Sequence, residues 1–211
     1  MKKITYVSLA LAACMAISCG QTNQNNSIGS DQNQVVETIL ARRSIRKYLP
    51  KPVEEKKLQK ILECGINAPT GMYKQSWQIR VVQNPEFLAA IDQKFSEQRV
   101  REGKSSKAKA FNGAPCLIFI AYDKNYDLSQ VDCGLLGENI ILAAQSMGLG
   151  TCCLGQVARF MMSEDAKELL PRLEIPKTHE LLYAISVGYP DQEPTAKPRD
   201  WNRIRFVDQI R

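Results

Sequence analysis

From residue 35 onward the chain alternates stretches of helix-spaced apolar positions with runs rich in β-branched and aromatic side chains. Val35-Val36-Glu37-Thr38-Ile39-Leu40 reads as rather more than one amphipathic helical turn, and Leu58 to Ile66 carries the same period until Pro69 and Gly71 end it. The pattern predicts helices near 35–42, 54–67, 85–101, 130–147 and 163–170, and strands near 78–83, 115–122, 149–153 and 181–188. Residues 114–122 form a continuous apolar run, as expected of a central strand buried on both faces. The 130–147 helix carries Gly134, Gly137, Ala143 and Ala144, small residues that permit close packing. No internal repeat is visible.

The first 34 residues follow a different pattern. Met1-Lys2-Lys3 leads into an apolar run from Ile4 to Ile17, shorter than the roughly 20 residues a bilayer-spanning helix needs. A charged start, an apolar middle and small residues at the end are the marks of a secretory signal. Ala16-Ile17-Ser18-Cys19-Gly20 resembles a bacterial lipobox with Cys19 as the lipidated residue. The expected organisation is a signal peptide over 1–18, a lipidated cysteine and flexible tether over 19–34, and a folded domain over 35–211. Residues 20–34 are mostly Gln, Asn, Ser and Gly with almost no apolar side chain, too little to bury a core. That organisation places the domain on the bacterial cell envelope, lipid-anchored and facing the periplasm. Translation starting at Met15 would instead leave the protein in the cytoplasm.

Composition narrows the function classes. With 44% hydrophobic and 24% charged residues in 211, the chain suits one ordinary domain with appendages. The net charge of +6 falls to +4 once residues 1–18, with Lys2 and Lys3 and no acid, are removed, which is too mild to argue for nucleic acid. The basic residues cluster at 42–47, 99–109 and 197–205. The middle cluster has two readings, a mobile surface segment or a lid. Seven cysteines do not form a disulfide framework: Cys14 and Cys19 belong to the leader, Cys64, Cys116 and Cys133 sit in apolar patterns as small core residues, and Cys152-Cys153 are adjacent. One histidine and no Cys-x-x-Cys argue against zinc and against Ser-His or Cys-His nucleophiles; His179 is read as capping the last strand.

Three segments carry candidate chemistry. Arg42-Arg43-Ser44-Ile45-Arg46-Lys47-Tyr48 places four cations and a hydroxyl together without an acid, and arginine forks grip phosphate. At a helix C-terminus such cations are also simply favourable. Ala68-Pro69-Thr70-Gly71-Met72-Tyr73-Lys74-Gln75-Ser76-Trp77 links a helix to a strand, where backbone amides and Gln75 could lie along a planar ligand. Gly148-Leu149-Gly150-Thr151-Cys152-Cys153-Leu154-Gly155 has glycines that let backbone approach a ligand.

In order and spacing these segments resemble the flavin-dependent nitroreductase family. Arg42, Ser44 and Arg46 match its Arg-x-Ser-x-(Arg or Lys) element. Ala68, Pro69, Gln75 and Trp77 match Ala-Pro-Ser-x-x-Asn-x-Gln-Pro-Trp. Gly148 to Gly155 match Gly-Leu-Gly-Thr-Cys-Trp-x-Gly except at Cys153, and Lys197 and Arg199 match a C-terminal Lys-x-Arg. Thr70, Tyr73, Ser76 and Cys153 depart from the usual Ser, Asn, Pro and Trp. The resemblance implies an α+β layered fold with a central, mainly antiparallel sheet flanked by helices, built as an intertwined homodimer with flavins at the interface and a C-terminal arm crossing to the partner. It implies FMN as cofactor, with Arg42, Lys197 and Arg199 neutralising its phosphate and Arg43, Ser44 and Arg46 holding phosphate, ribityl or ring edge. Backbone around Leu154 and Gly155 would face the flavin ring, with Gln75 and Tyr73 contributing from the loop. The implied reaction reduces a small acceptor such as a nitro compound or quinone, with NAD(P)H as candidate donor and no catalytic side chain named. The alternatives are a flavin-binding lipoprotein without turnover and a thiol or interaction module built on Cys152-Cys153.

Overall fold

The computed structural model describes residues 33–107 and 109–207. The leader, Cys19 and nearly all of the expected tether lie outside the described residues. The first described element, α1 (Gln34–Ala41), is capped by Asn33, whose side chain accepts from the N–H groups of Val35 and Val36. Then follow α2 (Glu55–Ile66), β1 (Trp77–Val82), α3 (Pro85–Arg101), β2 (Cys116–Asp123), α4 (Ser129–Ser146), β3 (Gly150–Leu154), α5 (Gly155–Met161) and β4 (His179–Gly188). Asn84 as N-cap and Pro85 in the first turn fix the start of α3.

The four strands form one antiparallel sheet in the order β1-β2-β4-β3. Alternation along β2 sorts the core into two layers. Cys116, Ile118 and Ile120, with Ile185 and Val187 of β4, pack against Leu58 and Ile61 of α2 and Leu136 and Ile140 of α4. Leu117, Phe119 and Ala121, with Ala184, pack against α3 and α5 through Phe87, Ile91, Val157 and Phe160. The architecture is therefore α+β, a helix–sheet–helix sandwich, and the apolar run is its doubly buried central strand. Residues 116–121 have no exposed surface.

One predicted element is corrected. The helix expected at 163–170 is instead two 3₁₀ turns, Glu164–Ala166 and Leu170–Leu173. The α-helix lies earlier, in α5, which starts directly on the last residue of β3 and stops where Ser163 turns its hydroxyl back to the Phe160 carbonyl, 2.7 Å away. Pro171 removes a donor from the following segment, and the buried residues Ala166 and Leu169 fall three apart, the 3₁₀ period. His179 opens β4, two residues ahead of the predicted start, opposite Asp123.

The small residues of α4 have different uses. Gly134 faces open space, whereas a Cβ on Gly137 would overlap the Tyr183 hydroxyl and stand 2.9 Å from its ring carbon Cζ. The Tyr183 hydroxyl is held there by donating to the Cys133 carbonyl. Gly137→Ala should gain roughly 1 kcal/mol of helix propensity and lose about 1–3 kcal/mol to overpacking. A net loss in denaturant unfolding is expected, and adding Tyr183→Phe should return part of it. A Gly137→Ala protein as stable as the parent would show that α4 and β4 do not meet this closely.

Candidate functional site

The basic segment is pinned to the outer edge of β3. Arg42 closes α1 with extended backbone (ψ 136°). Ser44 bridges Thr151 in parallel sense, and the Ile45 N–H donates to the Thr151 carbonyl at 2.8 Å. Ile45 is buried, and a Cβ on Gly150 would stand 2.6 Å from its Cγ1, so only glycine lets the two backbones come this close. In an extended chain residues 42, 44 and 46 share a face. All three act on the Cys152 thiol: burial raises its pKa, while Arg46, the Ser44 hydroxyl and Arg42 pull it part of the way back. Tyr48 locks the end of the turn by donating its buried hydroxyl to the Ile45 carbonyl at 2.8 Å and bonding the Ser186 hydroxyl, also at 2.8 Å.

Arg43 turns the other way. One of its terminal nitrogens donates to the carbonyls of Leu40 (2.6 Å) and Arg42 (2.8 Å), capping α1. It lines a separate cleft with Gln145, Leu149 and Pro194. One terminal nitrogen thus caps the helix, while the buried Nε has no hydrogen-bond partner.

The segment before β1 is held by a residue that sequence reasoning missed. Asp132, in the first turn of α4, is 2% exposed. Its Oδ1 accepts from the Gly71 N–H at 2.9 Å and its Oδ2 from the Ser76 hydroxyl at 2.8 Å. Ser129 adds a third tie, donating to the Ser76 carbonyl at 2.6 Å. Between these anchors Met72, Tyr73 and Gln75 all take positive φ (50°, 61° and 46°). Left-handed backbone at non-glycine residues costs on the order of 1–3 kcal/mol each, so the loop keeps its shape only because both ends are fixed. The result presents Tyr73 at 88% exposure, with Gln75 also exposed. Ser76, where the related motif has proline, supplies one of the two bonds. A buried acid amid the apolar residues of a helix is the signal that could have revealed Asp132.

β3 runs into α5 without a linker. Cys152 is buried and Cys153 exposed, and both are free thiols. Burial raises the Cys153 pKa, and neighbouring Cys152 and Glu138 raise it further. Neither thiol is activated, which weighs against a module built on thiolate chemistry. Glu138 of α4, also missed from sequence, pairs with Arg42 (Nε to Oε1 3.7 Å). Leu154 is the N-cap position of α5 and Gly155 its first residue, leaving the backbone there free of a side chain. Lys197 and Arg199 lie in the exposed stretch between β4 and a 3₁₀ turn at Trp201–Arg203. Among the described residues they make no side-chain bond to the Arg42–Arg46 group. Arg42, Ser44, Arg46 and β3 are thus brought together, with the Tyr73–Gln75 loop at the N-terminal end of α4. Asp132 and Glu138 are six residues apart on that helix, a rise of about 9 Å. No group of three or more His, Cys, Asp or Glu among the described residues could hold a metal ion.

Comparison with known proteins places this geometry among relatives. Residues 39–189 match the Nitroreductase family. The NADPH-flavin oxidoreductase of Vibrio harveyi is 29% identical over 182 residues, covering 79% of this chain and 70% of the relative. An FMN reductase [NAD(P)H] of Bacillus subtilis is 27% identical over 183 residues, again 79% of this chain and 70% of the relative. Among solved structures, a nitroreductase with bound FMN from Bacteroides fragilis superposes with a TM-score of 0.76 at 28% identity, covering 84% of this chain and 100% of that one.

The anchoring of the strained loop is open to measurement. Asp132→Ala removes two bonds and leaves the Ser76 hydroxyl and Gly71 N–H unpaired, an expected loss of about 2–4 kcal/mol in unfolding free energy. Ser76→Ala should lose less, about 1 kcal/mol. In a double-mutant cycle the two should couple by more than about 0.5 kcal/mol. Strict additivity would mean that Asp132 does not hold Ser76.

Proposed function

The chain belongs to the nitroreductase family, and from that membership we propose that it is an FMN-dependent oxidoreductase that passes electrons from NAD(P)H to a small organic acceptor such as a nitro compound or a quinone. The observation that carries this reading is the convergence of Arg42, Ser44 and Arg46 on one face of an extended segment beside β3. The donor set suits FMN: two guanidiniums and a hydroxyl for a phosphate and a polar ring edge, and bare backbone at Gly155 for a planar ring. Bound there, FMN would supply the two-electron redox chemistry.

The protein's own part is binding and charge. Arg42 would neutralise the phosphate, exchanging its exposed partner Glu138 for a stronger charge-assisted contact. Ser44 would donate to the phosphate or ribityl, and Arg46 would sit toward the ring edge. The clamped loop would bring Tyr73 and Gln75 against the ring, and Leu154–Gly155 would form its floor. Arg43 supports these positions by capping α1. Lys197 and Arg199 would complete the phosphate site from the C-terminal arm, which in this reading crosses to a second copy. A homodimer is supported by apolar side chains left exposed on α1 (Val35, Leu40), on α4 (Val131) and on the arm (Trp201, Phe206). Tyr73 and Cys153, which replace asparagine and tryptophan of the related motifs, would reshape the acceptor side.

Lipidation at Cys19 is proposed from the apolar leader and the lipobox-like Ala16-Ile17-Ser18-Cys19. No helix among the described residues is long and apolar enough to cross a membrane. Mass spectrometry of the native N-terminus should find a lipid-modified Cys19, lost in Cys19→Ala. A mature chain retaining Met1, or starting at Met15 without lipid, would remove the envelope assignment.

For the cofactor, the purified protein should show flavin absorbance that bleaches on adding NADPH or NADH. Arg42→Ala and Arg199→Ala should each weaken FMN binding by roughly 1.5–3 kcal/mol, measured by fluorescence titration, and together by more. Full affinity in both single variants would overturn the phosphate assignment; flavin that resists bleaching would indicate a carrier without turnover.

A further inference from the structure

Between α3 and α5 lies a second cleft of about 220 Å³. Its floor is Phe95 and Phe160, packed edge to face with centroids 5.3 Å apart. Its rim carries Arg99 of α3, Lys104 just beyond it, and Arg159 of α5, with the amides Gln98 and Gln156. The one acid on the rim, Glu102, is already paired with Lys104 at 2.6 Å. Arg99 spends its Nε on the Ser105 carbonyl at 2.9 Å and lies over the Phe95 ring, leaving its terminal nitrogens available. Arg159 takes part in no salt bridge or side-chain hydrogen bond among the described residues. The neighbouring Asp165 is paired with Arg101 outside the cleft.

Location separates this group from an ordinary solvated basic face. Arg159 is one helical turn past Gly155 and folds back toward it, with Nη1 3.4 Å from where a Cβ on Gly155 would stand. An unpaired guanidinium is thereby held over the glycine proposed as the floor of the flavin site. Three cations against one acid, on an aromatic floor, suit a phosphate or carboxylate.

We infer that the α3–α5 cleft binds the anionic group, phosphate or carboxylate, of the small molecule that exchanges electrons at the flavin site. The inference rests on the flavin reading. The anionic molecule is either the donor, a nicotinamide nucleotide with its phosphates, or a negatively charged acceptor. Arg159 and Arg99 orient it, and residues 99–104 serve as one wall of the cleft.

The test uses the FMN-loaded protein and its Arg99→Ala/Arg159→Ala variant, with flavin absorbance recorded for both. One arm varies the donor, NADPH or NADH against neutral N-benzyl-dihydronicotinamide, with menadione as acceptor. The other varies the acceptor, 4-nitrobenzoate against menadione, with the neutral donor. The variant should raise KM roughly tenfold or more for the anionic partner, the loss expected for at least one charge-assisted bond. It should flatten the salt dependence of that KM and leave the neutral counterpart unchanged. The arm that responds identifies the source of the anion. Equal shifts for charged and neutral molecules, or none, overturn the inference. If the protein takes up no flavin, the functional reading fails and the cleft is judged by calorimetric titration with pyrophosphate alone. Binding that the double variant loses supports the cleft, and absent or unchanged binding overturns it.

Discussion

The constraint on which everything else depends is the burial of β2 on both faces and along both edges. Residues 116–121 of this strand, without exposed surface, must satisfy their backbone through neighbours on each side and their side chains through a layer above and a layer below. β1 and β4 meet the first requirement; α2 with α4 and α3 with α5 meet the second. β3 then pairs with the free side of β4 and becomes the edge of the sheet. An exposed edge presents unpaired N–H and C=O groups. Here Ser44 and Ile45 cover part of it, and so the run of cations is delivered to the one strand whose backbone continues into a glycine-started helix.

Two opposite physical devices shape the site. On the β3 side the shape comes from close approach: Gly150 admits Ile45, and Tyr48 ties the turn to β4 through Ser186. On the loop side it comes from strain held by polar anchors, with three left-handed residues kept between two bonds to Asp132. Both are joined to α4, whose first turn carries Asp132 and whose middle carries Glu138 against Arg42. If these residues bind a ligand as proposed, a site formed this way is set before the ligand arrives, which spares it the cost of ordering the site.

Much of this was legible in the residues. The apolar run identified β2, helical spacing identified α1 to α4 within one or two residues, and four motifs in order pointed to the family. Arg42, Ser44 and Arg46 were grouped by the Arg-x-Ser-x-Arg motif; that they lie on an extended segment paired to β3, and not on the end of α1, came from the structure. The helix α5 was not found, because Gly155 reads as a loop residue until the packing of Val157, Phe160 and Met161 against the sheet outweighs its poor propensity. Arg43 looked like its neighbours, and only the path of the chain after α1 turned its donors back onto the helix carbonyls.

By itself, the sequence determined most of the elements, their order and the doubly buried strand, since these follow from periodicity and turn residues within short windows, and its motifs in order carried the resemblance to the family. Tertiary structure alone decided that Asp132 clamps a loop 61 and 56 residues away at Gly71 and Ser76, that Glu138 faces Arg42, and that Arg159 bends over Gly155 beside Arg99. The contacts of Asp132, Glu138 and Arg99 join residues whose separation along the chain carries no information about their separation in space, whereas Arg159 and Gly155 are neighbours by helical spacing alone. The former come into being only when the two helical layers close on β2 and fix where each side chain points.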